Sequence, residues 1–354
     1  MPGLPPRTLL AGLLGPVLVV LALTASGGAA SAADGGDRLD RFRELAASRL
    51  GLVQLVEPDS PAEAFREIYA LLDDEIVDNL AAGGPFASLA FLQERLDAFA
   101  EVWGGASLKL TRVGGVLLGA FMLDERAPAN SVRMYGTLRG EPALLSALYR
   151  EGRPTLYGSG GDAAPLLITW EGTQSGWGTR PLRIELLRRE GDRLQVAWST
   201  QEVFADGLLA RSWSVRGAEV RIQYELRYPG WAPGCEGQTE QEDVYRVSAA
   251  GVTRVARRPI EPWHRELHAT VQRLTTALAA RDEGTVTALV PDRGLRGRLP
   301  VGLRTEPACD AREGDTGEAV SVAAVAEDQR PWALTFRRLA SGWRLTGASP
   351  VLLQ

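Results

Sequence analysis

Beyond an apolar leader, hydrophobic and polar positions divide the chain into three zones with different periods. From about Asp37 to Trp103 apolar residues recur every three or four positions, which places them on one helix face. Ser60-Pro61-Ala62-Glu63 joins a serine N-cap, a proline at the first helical position and a glutamate at the capping-box position. Phe65, Ile68, Tyr69, Leu72, Ile76 and Leu80 then form one stripe. Gly83-Gly84-Pro85 stops that helix, and Leu89, Leu92, Leu96, Phe99 and Trp103 form a second stripe. Two stripes joined by so short a turn predict an antiparallel helical hairpin.

Alternation with period two takes over from about 106 to 256. Leu182, Ile184 and Leu186 alternate with polar residues, and after Glu190-Gly191-Asp192 so do Leu194, Val196 and Trp198. Trp213 and Val215 lead to a turn at Arg216-Gly217, then Val220, Ile222, Tyr224 and Leu226. This grammar predicts antiparallel sheet with one face buried, and the hairpin is the nearest cover for it. Leu144 to Tyr149 predicts a short helix interrupting the zone.

Helical spacing returns at Trp263, Leu267, Val271, Leu274 and Leu278, with Pro262 placed as a first helical residue. A shorter helix runs from Asp282-Glu283-Gly284 to Leu289, and Pro291 to Gly317 has the composition of a loop. Strands follow near Ala319–Ala326, Trp332–Leu339 and Trp343–Thr346. The expected fold is α+β: a helical hairpin with an antiparallel β-sheet domain over 37–258, then a smaller α+β module over 261–354.

The leader adds location. Arg7 precedes an apolar run from Leu9 to Leu23, and Ala30-Ser31-Ala32 has the small-x-small pattern of a signal-peptidase site. Residues 1–32 are therefore expected to be a signal peptide cleaved after Ala32, with an uncleaved anchor as the alternative. No later segment has the ~20 apolar residues of a membrane helix, so no span is expected after cleavage. In an oxidising compartment the only cysteines, Cys235 and Cys309, are expected to pair. Net charge is −5 with both signs interspersed, which argues against a nucleic-acid partner. Of 39 basic residues only Lys109 is lysine, the composition of a GC-rich bacterial genome.

The C-terminal zone also resembles a known family. An amphipathic helix, the step "ALAARDEGTVTALV" into a shorter helix and the closing hairpin "WALTFRRLASGWRLT" resemble the NTF2-like (SnoaL-like) superfamily, over residues 261–354. The resemblance implies an α+β cone, a curved antiparallel sheet folded around helices to leave a pocket. It implies no single activity, because that superfamily includes isomerases, dehydratases, transport factors and binding or assembly modules. None of its active-site patterns is matched, so no catalytic residue carries over.

Candidate chemistry is sparse. Both histidines lie in "EPWHRELH", as His264 and His268. They share a helix face, but Glu266 follows neither the peptidase nor the inverted spacing of a zinc hydrolase. Two histidines alone fall short of a zinc ligand set, so the favoured reading is amphipathic boundary residues touching both domains. Further ligands would have to be carboxylates or cysteines. Asp73, Asp74, Glu75 and Asp78 read as a solvated helix face, although paired acids suffice for glycoside chemistry.

Glu236, Glu240, Glu242 and Asp243 cluster near Cys235, and Asp310, Glu313, Asp315 and Glu318 cluster near Cys309. A bridge would bring these acids together as an oxygen-rich cation site or as a repulsive patch relieved by arginines. Trp177 and Trp231 sit in glycine-rich loops and are the candidate ligand contacts, whereas Trp198 and Trp213 are in phase with the sheet core. The first reading is an exported bacterial protein that binds a small molecule or an envelope protein, without catalysis or cofactor. The competing readings are a pocket enzyme, carboxylate-dependent or metal-assisted through His264 and His268, and an envelope assembly factor.

Overall fold

The computed structural model describes residues 34–49, 51, 65–125, 130–158, 166–232, 234–235, 238–248, 250–306, 308–313 and 318–351. The expected signal peptide, the Ser60–Glu63 capping box, Glu236 and Asp315 lie outside them. The architecture is α+β.

Among the described residues the chain begins with α1 (Asp34–Ala47), α2 (Arg66–Ala82) and α3 (Leu89–Trp103). Gly83 ends α2 at φ 67°, a left-handed conformation that glycine adopts without Cβ strain. Ser88 then caps α3 by accepting the Phe91 N–H. The two stripes meet as the spacing predicts, and Phe42 of α1 joins them with its ring edge-on to Phe99.

Beneath the helices lies a four-stranded antiparallel sheet of β1 (Ser107–Val113), β2 (Val116–Met122), β3 (Asn130–Leu138) and β4 (Glu141–Arg150). Leu117, Phe121 and Tyr135 face the helices, while Val116, Leu118, Val132 and Met134 face the other way. The helix expected over Leu144 to Tyr149 is instead the middle of β4, paired with β3 from Leu144 opposite Tyr135 to Arg150 opposite Asn130. Cross-strand pairing outweighs the helix propensity of its leucines and alanines.

The alternating strands build an eight-stranded sheet. They are β5 (Arg153–Gly158), β6 (Leu166–Glu171), β7 (Arg180–Glu190), β8 (Arg193–Ser199), β9 (Leu209–Arg216), β10 (Glu219–Glu225), β11 (Glu240–Ser248) and β12 (Gly251–Ile260). The order is β12-β11-β10-β9-β7-β6-β5, with β8 also beside β7. Leu166, Ile168, Trp170 and Leu187 pack against the four-stranded sheet, and Leu182, Ile184 and Leu186 face the other side. The helical hairpin does not reach that second face. The sheet curls to cover it, so that Trp198 of β8 meets Tyr245 of β11 with centroids 5.6 Å apart. Trp198 and Trp213 are partly buried there, as their phase predicts.

The C-terminal zone lays α4 (Trp263–Ala280), α5 (Glu283–Leu289) and α6 (Arg293–Arg296) on a third antiparallel sheet. Its strands are β13 (Arg304–Thr305), β14 (Ala311–Glu313), β15 (Ala319–Val325), β16 (Pro331–Leu339) and β17 (Gly342–Pro350), so the expected 291–317 loop contains α6, β13 and β14. Leu267, Val271 and Leu274 meet Val320, Leu334, Phe336 and Leu345 in a cluster of their own.

Candidate functional site

The structure offers two places where chemistry converges. The first is a groove of about 520 Å³ at the ends of β4, β6 and β7, closed by the segment from Thr200 to Leu209. That segment is held locally. Ser199 accepts the Gln201 N–H while its own N–H donates to Glu202 Oε1, and the Ile184 N–H donates to Thr200 Oγ1 at 3.0 Å. Phe204 packs edge-on against Tyr224 at 4.9 Å. Trp170, Leu182, Phe204 and Leu208 give the groove an apolar lining, and Arg150, Arg183 and Arg227 add cations.

Beside the groove lies Glu185, which is buried. It accepts the Trp170 Nε1–H at 3.1 Å and the Arg150 Nε–H at 3.1 Å, so both carboxylate oxygens are engaged. Arg183 reaches the same carboxylate only at 3.8 Å and makes no hydrogen bond among the described residues. Burial lowers its pKa, with Glu185 opposing the shift. A half-buried guanidinium with five donors, to which its counter-charges Glu185 and Glu151 make no hydrogen bond among the described residues, is a ready partner for an anionic group.

Neither tryptophan candidate lines this groove. Trp177 is exposed, and its ring lies against Gly234, where a Cβ would approach it to 2.6 Å. Trp231 contributes indirectly: Arg227, which does line the groove, stacks over its ring at 5.5 Å.

The second place is the start of α4. His264 and His268 are 2% and 5% exposed, and their Nε2 atoms lie 2.6 and 2.7 Å from the same oxygen, Asp310 Oδ2. The boundary histidines are thus interior, between two parts of the chain. Tyr228, from the loop after β10, meets His264 Nδ1, and Cys309, beside Asp310, is bonded to Cys235 in the same loop. The expected disulfide is therefore present. Burial pushes the Asp310 carboxyl up, but the hydrogen bonds and charges of His264 and His268 outweigh it and hold it below the ordinary carboxylate range. Gly230 (φ 91°) makes room, since a Cβ there would lie 1.8 Å from His268 Nδ1.

Three of the other acids near the bridge, all on β11, are taken up by ion pairs. Glu240 pairs with Arg211, Glu242 with Arg258, and buried Asp243 with Arg257, Tyr224 and Tyr245. For these three, arginines supply the counter-charge. Sequence reasoning missed Arg183, Glu185 and Tyr228. Only the odd polar residue within apolar β7 hinted at the first two, and nothing local marked the third. No family model matches the chain, and a search of curated proteins returns no match.

Proposed function

We propose that this chain is an exported, non-catalytic binding protein of the cell envelope or exterior. On this reading the groove at the ends of β4, β6 and β7 holds a small molecule with an apolar body and an anionic head. The observation that carries it is Arg183, a half-buried guanidinium without a hydrogen bond among the described residues, on the wall of a cavity that Trp170, Leu182, Phe204 and Leu208 also line, with Arg150, Arg227, Glu151 and Asp206 around them. The volume of about 520 Å³ falls within the range of small-molecule sites. Binding is favoured over hydrolysis because Glu185, the buried carboxylate beside the groove, has both oxygens engaged, and both histidines lie elsewhere, although Glu151 and Asp206 also line the groove.

Export is supported by the leader and by the Cys235–Cys309 bridge. Among the described residues no helix is long and apolar enough to cross a membrane. The division at residues 258–261 is supported by the separate core formed by α4, α5 and the third sheet.

A fluorescence titration with a dansyl-labelled long-chain fatty acid tests the reading. Saturable binding, displaced by unlabelled palmitate and weakened about tenfold in Arg183→Gln, is expected for the loss of one charge-assisted contact. No saturable binding, or equal affinity in the variant, would overturn it.

A further inference from the structure

The hydrogen-bond chain around His264 fixes its tautomer. Gln238 Nε2 donates to the Ala232 carbonyl at 3.1 Å, which turns Gln238 Oε1 toward Tyr228 to accept its only hydroxyl proton at 2.9 Å. The Tyr228 oxygen is then an acceptor toward His264, and Nδ1 carries the hydrogen. In neutral His264 the lone pair is left on Nε2, the atom aimed at Asp310. An imidazole whose far nitrogen is held as a donor, with its near nitrogen aimed beside a carboxylate, is the arrangement metal-binding histidines adopt. His268 Nε2 converges on the same point, and one ligand atom from each of the three residues falls within 4.8 Å of the others.

We propose that His264, His268 and Asp310 form a site for a divalent metal ion of the zinc type, with a water as fourth ligand. Two imidazole nitrogens and one carboxylate oxygen suit a borderline transition metal, and three protein ligands leave one tetrahedral position open. Metal–ligand bonds of about 2.0–2.2 Å need ligand atoms about 3.3 Å apart. The close contacts of 2.6 and 2.7 Å to Asp310 therefore open on loading, through a turn of the Asp310 side chain. The ion ties α4 to the loop bearing Asp310, while Tyr228 orients His264 from the central sheet's side. The disulfide next to Asp310 holds that loop in reach. This site is separate from the groove and does not depend on how the groove is read.

The oxidised full chain, stripped with chelator and dialysed, is titrated calorimetrically with zinc chloride, then loaded with cobalt(II) for absorption spectroscopy. One zinc per chain is expected, with at least a hundredfold weaker binding in Asp310→Asn and in His268→Gln. The cobalt protein is expected to show the intense visible bands of a four-coordinate ion. That spectrum needs only the wild-type chain, so a variant that fails to fold leaves the test standing. Absence of zinc uptake by the wild-type chain, wild-type affinity in folded Asp310→Asn, or only the weak bands of hydrated cobalt would overturn the proposal.

Discussion

Asp73 and Glu75 belong to an acidic run that periodicity assigns to a solvated face, yet both are committed to arginines. The Arg133 Nε–H and the Tyr135 O–H each donate to Asp73 Oδ1 at 2.7 Å, and Arg133 lies over the Tyr69 ring at 4.7 Å. Glu75, which is buried, accepts the Arg95 Nε–H at 2.6 Å and has Arg38 at 3.6 Å. These partners come from other elements, Arg133 from 60 positions away, so no local pattern contains them. The same engagement argues against Asp73 and Glu75 as a glycoside-type acid pair. Removing one partner of a buried pair leaves the other charge uncompensated. Asp73→Asn is thus expected to lower the unfolding free energy by about 3 kcal/mol. Guanidinium unfolding checks this, and a loss below about 0.5 kcal/mol, typical of an exposed pair, would contradict it.

Elements were legible where local pattern and packing agree. The α2 and α3 stripes and the β7–β8 and β9–β10 hairpins follow from spacing and from turn glycines Gly191 and Gly217. β4 was not legible, because its Leu and Ala residues favour helix until β3 supplies a pairing edge. The C-terminal segment also hid short elements that depend on single caps. Asp292 accepts the Gly294 and Leu295 N–H groups at 2.7 and 3.0 Å to start α6, and Asp282 accepts the Thr285 N–H at 3.1 Å to start α5. The Thr285 side chain and then its N–H hold the Asp282 carboxyl below its ordinary pKa, and the Leu295 and Gly294 N–H groups do the same for Asp292. A folded-state pKa below the unfolded value gives stability that is full above the unfolded value, about 4, and is lost as pH falls through the lowered one. Asp292→Ala should therefore reduce the thermal midpoint at neutral pH, and the gap to wild type should shrink in acid. Midpoints recorded across pH test this, and a gap that stays constant into acid would count against the cap.

At the scale of the molecule, the two cysteines announced a staple but not what it holds. The bridge spans 74 positions and fixes the loop after β10 beside the loop that carries Asp310. The histidine pair was visible in sequence; its third member, 42 positions from His268, became visible only through the fold. In the chain-entropy model a loop of this length contributes about 4 kcal/mol. Replacing both cysteines by serine should lower stability by an amount of that order, read by denaturant unfolding, and unchanged stability would show that the loops are held by other contacts.

The groove was least legible of all, because its walls come from β4, β6, β7 and the 200–209 segment, which meet only after the two sheets have packed. Its location can be tested directly by photo-crosslinking. A fatty acid with a diazirine in its tail is irradiated with the purified protein, and the labelled peptides are mapped by mass spectrometry. Labels on Phe204–Leu209 and around Trp170 and Leu182, suppressed by excess palmitate, are expected. Labels confined to other surfaces, or insensitive to competitor, would contradict the binding reading.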